Sequence, residues 1–439
     1  FGNKFGQPLI AGSVLTFEHQ ENGEKYAYDK VVMLAGGVGY GAKRDCLKKT
    51  PQPGNKVVVV GGDNYRIGLG GGSVSSVDTG RYSSGIELNA IQRANPEMQK
   101  RAYNLVRALV EEDENPVVSI HDHGSAGHLN CLSELVEDCG GRIDMDKLPI
   151  GDKTLSAKEI IANESQERMG LLIDEKYLDH VRRIAERERA PMYVVGETTG
   201  DAHFSFVQKD GVKPFDLDVA QMFGHSPKTI MKDETVERKY ADVTYDIAKI
   251  DDYVTRVLQL EAVACKDWLT NKVDRSVTGR VARQQCQGQV QLPLSDCGVV
   301  ALDYRGYKGI ATAIGHAPQA GLASPEAGSV LSVAESLTNI VWAPLADGMD
   351  SISLSANWMW PCRNEGEDAR LYDAVEAASD FAISLGINIP TGKDSLSMTQ
   401  KYPEGKQVLS PGTVIISAIG EVSDVKKILS PVLVANPAY

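Results

Sequence analysis

The run Lys56-Val-Val-Val-Val60 constrains this chain most. Four consecutive β-branched apolar residues leave no polar face, so they fit a strand buried on both sides, and such a strand needs a layer above it and a layer below. The text around it meets that need. Pro96–Val110 carries Met98, Leu105 and Leu109 at helical spacing, and Pro116-Val-Val-Ser-Ile120 reads as a strand. Residues 129–136 read as helix, 167–173 as strand, 177–187 as helix, and Met192-Tyr-Val-Val195 as strand. This alternation over residues 46–232 predicts an α/β sandwich.

A second patterned region spans 242–430. It reads as a helix over 250–260, strands at 298–302 and 309–313, a helix carrying Glu335 and Asn339, a strand at 352–354, a helix over 369–385 and a strand at 413–416. Between the two regions, residues 233–241 are charged and weakly patterned and read as a linker. Residues 1–45 read as strand and loop, too short for a domain of their own, and residues 431–439 as a tail. Gly2-Asn-Lys, Asn22-Gly23 and Lys30-Val-Val-Met-Leu-Ala-Gly-Gly37 echo Gly392-Lys-Asp-Ser, Glu404-Gly405 and Thr413-Val-Ile-Ile-Ser-Ala-Ile-Gly420. The echo suggests that residues 1–45 end a copy of the later region.

Composition narrows the classes of function. With 439 residues, two or three domains are expected. A net charge of −13 disfavours non-specific nucleic-acid and anionic-membrane binding. The seven cysteines form no C-x-x-C pair, which points to reduced thiols and a cytoplasmic setting. No apolar run reaches the roughly 18–20 residues of a membrane helix.

Several segments can carry chemistry. Glu335 and Asn339 share a helix face at i, i+4, and with a loop carboxylate, Asp274, they offer oxygen donors suited to Mg²⁺. The same residues also read as a solvated Glu, a helix-end Asn and a capping Asp. The loop Gly61-Gly-Asp-Asn-Tyr-Arg-Ile-Gly-Leu-Gly-Gly-Gly-Ser73 can bring backbone N–H groups to an anion or serve as a structural turn. It is not a Walker A loop. A dinucleotide fold is disfavoured because Val77–Ser84 lacks helical periodicity. Asp122, at the end of a strand, could hold Mg²⁺. His121, His123, His128 and Cys131 lack standard zinc-finger spacing and read as surface or packing residues. Asn163-Glu-Ser-Gln-Glu-Arg-Met169 reads either as a polar recognition segment or as a capping box entering a helix. Gly392-Lys-Asp-Ser395 reads as a turn whose adjacent cation and anion either face phosphate or, the favoured reading, form a local ion pair.

Taken together, these segments resemble the large, multi-domain form of phosphoribosylformylglycinamidine synthase, a purine-biosynthetic family. The resemblance runs through Met33-Leu-Ala-Gly-Gly37, Ile67-Gly-Leu-Gly-Gly-Gly72, Asn95-Pro-Glu-Met98, Ile120-His-Asp122, Asn163–Arg168, Glu188-Arg-Ala-Pro191, Asp274-Arg-Ser-Val-Thr-Gly279, Leu337-Thr-Asn339, Leu354-Ser-Ala-Asn-Trp-Met359 and Gly392–Ser395. It implies an α+β and α/β architecture of the aminoimidazole ribonucleotide synthetase-like superfamily, in which β-rich, barrel-forming halves alternate with α/β sandwich halves. Residues 1–45 would end the first barrel half, 46–232 form the first α/β half and 242–430 the second barrel half, with 431–439 leading to a second α/β half not present here.

The resemblance also assigns roles. Gln92, Glu164, Ser165 and Gln166 match contacts to formylglycinamide ribonucleotide, and Asp122 matches a catalytic Mg²⁺ ligand. Asp274, Glu335 and Asn339 match metal ligands of an auxiliary ATP or ADP site, with Val273 against the nucleotide. The implied partners are ATP, the ribonucleotide and ammonia from a glutaminase domain. The family's histidine has no counterpart, so this chain is expected to hold no catalytic residue and to be inactive alone, a nucleotide-binding scaffold. An open barrel edge would invite self-pairing. A related synthetase of the aminoimidazole ribonucleotide or selenophosphate type is the rival reading. His123 and His128 depart from the plainer glycine-rich text usual after the aspartate.

Overall fold

The computed structural model describes residues 5–6, 11–92, 95–225, 227–236, 238–270, 278–292, 294–433 and 435. It forms two compact units: Phe1–Phe5, Gly39–Val77 and Arg81–Thr229 in one, and Gly6–Val38, Asp78–Gly80 and Ile230–Tyr439 in the other. The first 45 residues, read as one segment, therefore divide. Four short strands, β1 (Ala11–Val14), β2 (Glu18–Glu21), β3 (Glu24–Ala27) and β4 (Met33–Gly36), belong to the second unit.

The first unit is a seven-stranded mixed sheet. Its strands are β5 (Lys56–Val60), β6 (Val117–Asp122), β7 (Gly141–Asp144), β8 (Met169–Ile173), β9 (Met192–Thr198), β10 (His203–Val207) and β11 (Phe215–Asp218), in the order β11-β10-β7-β9-β5-β8-β6. Val57, Val58, Val59 and Val60 are each 0% exposed, as the apolar run requires. Val58 and Val60 pack with α1 (Pro96–Val110) and α3 (Leu178–Glu188) through Leu105, Leu109, Val181 and Ile184. Val57 and Val59 pack on the other face, with Cys131, Leu132 and Leu135 of α2 (Gly127–Leu135). Period-two alternation thus sends neighbouring valines into two cores, and each burial stabilises by about 2 kcal/mol. β5 runs antiparallel to both β8 and β9, so no parallel βαβ dinucleotide unit is present there.

The second unit is built on a six-stranded sheet ordered β12-β13-β14-β19-β15-β16. These strands are β12 (Val281–Arg283), β13 (Cys297–Ala301), β14 (Gly309–His316), β15 (Ile352–Met359), β16 (Asn388–Ser395) and β19 (Thr413–Val422). Helix α4 (Pro325–Ile340) lies on one face with α5 (Glu367–Leu385) beside it, and Val414, Ile416 and Ala418 point into that core. Ile415 points the other way, onto Leu15, Tyr28, Val32 and Met398, and this apolar contact draws residues 11–38 into the unit. The Tyr28 hydroxyl and Thr413 Oγ1 are hydrogen-bonded at 2.8 Å in the same core.

The echo in the sequence has a spatial counterpart. The β2–β3 hairpin turns at Asn22 (φ 50°) and Gly23 (φ 83°), and the hairpin of β17 (Thr399–Lys401) and β18 (Gln407–Leu409) turns near Glu404 (φ 65°) and Gly405 (φ 75°). The two hairpins join into one four-stranded sheet, β17-β18-β3-β2. Among the described residues the β-rich part consists of open sheets and closes no barrel.

Asp233 and Arg238, in the stretch read as a linker, are fastened to this unit by their charges. Asp233 accepts from the N–H groups of Gly366 (3.2 Å) and Asp368 (3.0 Å), capping α5, whose own N-cap residue, Gly366, has no side chain for the task. Arg238 pairs with Glu367 at 3.0 Å. Asp233→Ala is expected to lose about 1 kcal/mol, read from urea unfolding by tryptophan fluorescence. Trp268, Trp342, Trp358 and Trp360 all lie in this unit. An unchanged midpoint would show that the cap carries no weight.

Candidate functional site

Strand direction places three chain segments together in the first unit. β5 and β6 both run antiparallel to β8, with Val60 and Asp122 each opposite Met169. The C-terminal ends of β5 and β6 therefore flank the N-terminal end of β8. From these ends extend the glycine-rich segment 61–73, whose last residues open a short helix (Gly71–Ser75), the loop 123–126 between β6 and α2, and segment 163–168. Ligands of α/β sheets favour such strand-end crevices.

Backbone hydrogen bonds join the three segments. The Glu164 N–H donates to the Gly68 carbonyl at 2.7 Å, and the Ser165 N–H to the His123 carbonyl at 3.0 Å. Gln92 is held by two bonds: its N–H donates to Glu164 O at 3.1 Å, and its carbonyl accepts from the Gln166 N–H at 2.9 Å. Gln92, Asp122, Glu164, Ser165 and Gln166, separated in sequence, thus share one sheet edge. Segment 163–168 enters a strand rather than a helix, so its capping-box reading is corrected. The capping box of this region is Ser156 with Glu159, just upstream.

The side chains differ in how free they are. Asp122 and Gln166 are exposed, whereas Gln92, Glu164 and Ser165 are buried. Gln92 Nε2 donates to the Asp63 carbonyl at 3.0 Å and to Glu167 Oε2 at 3.4 Å, while Glu167 Oε1 accepts from the Asn95 N–H at 2.5 Å. Gln92 Oε1 and Ser165 Oγ are buried with no hydrogen-bond partner among the described residues. Buried polar atoms are ordinarily paired, so two orphans side by side mark a place where a partner is missing.

A buried network, which the sequence reading missed, supports this edge. His123 Nε2 and His128 Nδ1 are 2.8 Å apart, and His128 Nε2 accepts from Arg168 Nη1 at 3.2 Å. Arg168 Nη2 donates to the Asn163 carbonyl at 3.2 Å and also to Asn163 Oδ1. Asn163 Nδ2 donates to the Tyr65 carbonyl at 3.1 Å and to that of Ile67, within the glycine-rich loop. His123, His128, Asn163 and Arg168 are all 0% exposed. Burial, with the positive charge of Arg168 behind it, pushes both imidazoles well below the usual histidine range. Burial also lowers Arg168, to about 9, against the opposing pull of Cys131, Glu167 and Asp63, so it remains a cation at neutral pH. An arginine next to an apolar strand was the one available signal. Asn163 is five residues away, but the histidine partner, His128, lies 40 residues away, too far to be read. Gly127 is required here: its φ is +53°, and a Cβ would stand 2.1 Å from the Asn163 carbonyl oxygen.

In the second unit, Glu335 and Asn339 both turn toward β14. Glu335 Oε2 accepts from the His316 N–H at 2.5 Å, and Asn339 Nδ2 donates to the Ile314 carbonyl at 2.9 Å. Glu335 Oε1 and Asn339 Oδ1 are left over on the shared face, and as oxygen donors they suit a hard cation. Burial pushes His316 below its ordinary value, with the Glu335 charge opposing. Asp274 and Val273 lie outside the described residues. No group of three His, Cys, Asp or Glu side chains able to hold a metal is present among the described residues. The turn reading of Gly392–Ser395 is corrected: these residues end β16, an edge strand. Successive side chains of a strand point to opposite faces, so Lys393 and Asp394 diverge rather than forming a turn-local pair.

Comparison with known proteins agrees with both units. Residues 52–209 match the family model described as AIR synthase related protein, C-terminal domain, and residues 265–421 match the FGAR-AT PurM_N-like domain. The chain is 39% identical over 449 residues to a Dictyostelium discoideum protein named phosphoribosylformylglycinamidine synthase, covering 98% of this chain and 33% of that protein. A Homo sapiens protein of the same name is 38% identical over 455 residues, with 98% and 34% covered. The chain thus spans about a third of the length of the curated relatives it matches. Among solved structures, PurLQS from Thermotoga maritima superposes with a TM-score of 0.67 at 19% identity, covering 98% of this chain and 64% of that one. T. maritima PurL complexed with FGAR gives a TM-score of 0.65 at 19% identity and the same coverage. These structural likenesses speak to the fold. No helix among the described residues is long and apolar enough to cross a membrane.

Proposed function

We propose that this chain, similar over nearly its whole length to phosphoribosylformylglycinamidine synthases, is part of the synthetase core of an ATP- and glutamine-dependent synthase. In that reaction ATP phosphorylates the amide oxygen of formylglycinamide ribonucleotide, giving an iminophosphate and ADP. Ammonia, released from glutamine by a separate glutaminase domain, adds to the same carbon, and phosphate leaves to give the amidine. An amide oxygen is a poor leaving group, so its conversion to phosphate is the chemical purpose of the ATP. The free cysteines fit a cytoplasmic enzyme.

The observation that carries this reading is the convergence of Gln92 with Glu164-Ser165-Gln166 at one sheet edge, with unpartnered polar atoms on Gln92 and Ser165. These residues bind and orient the ribonucleotide, so their contribution is positioning. Glu167 and the Asp63 carbonyl hold the Gln92 amide with its NH₂ engaged, which presents Oε1 as an acceptor. Asp122 at the same edge, and Asp274, Glu335 and Asn339, would supply the oxygen donors for Mg²⁺, and Val273 would contact an auxiliary ATP or ADP. A cation bound there would neutralise phosphoryl charge.

Calorimetry of the chain with formylglycinamide ribonucleotide tests the substrate edge. Gln166→Ala removes an exposed amide with little effect on the fold and is expected to weaken binding about tenfold, the value of one good hydrogen bond. Absence of binding to the parent, or an unchanged affinity in the variant, would overturn the assignment. In parallel, Mg-ADP should raise the thermal midpoint of the parent and not of Asp274→Asn, because a ligand stabilises only the state it binds.

A further inference from the structure

The buried network imposes a direction on its own hydrogen bonds. Guanidinium only donates, so His128 Nε2, which faces Arg168 Nη1 at 3.2 Å, must accept. Neutral His128 then carries its proton on Nδ1 and donates it to His123 Nε2 at 2.8 Å. Neutral His123 in turn carries its proton on Nδ1, a buried atom without a well-formed hydrogen bond, although the Arg168 backbone favours a proton on the ring. The other branch of Arg168 donates to both oxygens of Asn163, which leaves the Asn163 NH₂ to hold the Tyr65 and Ile67 carbonyls. Every link follows from one donor-only group.

We propose that Arg168 is a positioning residue: through the one-way chain Arg168→His128→His123, and through Asn163, it fixes the loop of Asp122, the glycine-rich loop and the Glu164-Ser165-Gln166 segment in one arrangement, with both histidines in the Nδ1–H form. His123 holds Ser165 by its backbone carbonyl, so the orientation of the ring and the placement of the recognition segment are mechanically one. The positioning role rests on the reading of that segment as the ribonucleotide site. The tautomer assignment does not.

The test is ¹⁵N-histidine NMR on the full chain at pH 7.5, combined with calorimetry. Of the eight histidines, His123 and His128 are expected to show a protonated Nδ1 and an unprotonated Nε2, the reverse of the form favoured by free histidine. Arg168→Met, which removes the donor, should release this constraint and shift signal toward the Nε2–H form. It should also weaken binding of formylglycinamide ribonucleotide at least tenfold. Arg168→Lys, which keeps a cationic donor at nearly the same reach, should recover both. A structural role alone would not set the tautomer or let lysine restore it. Nε2–H rings in the parent protein overturn the proposal, and that spectrum needs no variant to fold. Parental tautomers and affinity in Arg168→Met overturn it equally. If the parent shows the stated tautomers but binds no ribonucleotide, the substrate reading and the positioning role fail together while the directed chain stands.

Discussion

Gly315→Ala is expected to cost the second unit roughly 3 kcal/mol or more, at the upper end of overpacking substitutions. Gly315 lies in β14 directly beneath α4. A Cβ there would stand 2.1 Å from the Ser332 carbonyl oxygen and 2.4 Å from the Ser336 nitrogen. Both are backbone atoms of a 16-residue helix, so no side chain can swing aside and the helix itself must lift. Lifting it separates Glu335 from the His316 N–H and Asn339 from the Ile314 carbonyl, the two bonds that aim the candidate metal ligands. Tryptophan-monitored unfolding should show the loss, and Mg-ADP should no longer raise the midpoint. A variant as stable as the parent would mean that α4 does not sit this close to the sheet.

Acidification from pH 7 to pH 5 is expected to loosen the first unit sharply. Burial holds His123 and His128 well below their ordinary values, so between the unfolded value, about 6.5, and the lower folded value the unfolded chain binds more protons. Stability therefore rises with pH through this window and levels off above it. Each histidine contributes a slope of about 1.4 kcal/mol per pH unit, and the pair about twice that. His203 works in the opposite sense. Its hydrogen bond to Asp218, then that to Asp216, raises it, so its contribution is present below the unfolded value and lost as pH climbs through the folded one. That ring is about one-third exposed, and solvent screens it. Hydrogen exchange of the α2 amides, corrected for intrinsic rate, reads the first unit directly. Equal protection at pH 7 and pH 5 would refute the expectation.

Local chemistry was legible where one property dominated. The valine run of β5 could only be a doubly covered strand, and α1 showed its stripe. Gly392–Ser395 misled because glycine and adjacent charges are common in turns, yet pairing with β15 holds these residues extended. Asn163–Met169 was ambiguous because a polar run before apolar residues starts helices and strands alike. The cap that Asp233 gives to α5 bridges a separation of 133 residues and has no local signature.

The order of residues by itself determined which segments are apolar, which are glycine-rich and which carry oxygen donors, because burial and backbone freedom act at each residue and its near neighbours. Only the tertiary structure decided that Gln92, Asp122 and residues 164–166 share an edge, that two histidines and an arginine are sealed beneath them, and that residues 11–38 pack with strands near residue 400. Strand pairing and close packing bring distant residues together, and the sign of every charge and hydrogen bond at the site depends on those neighbours.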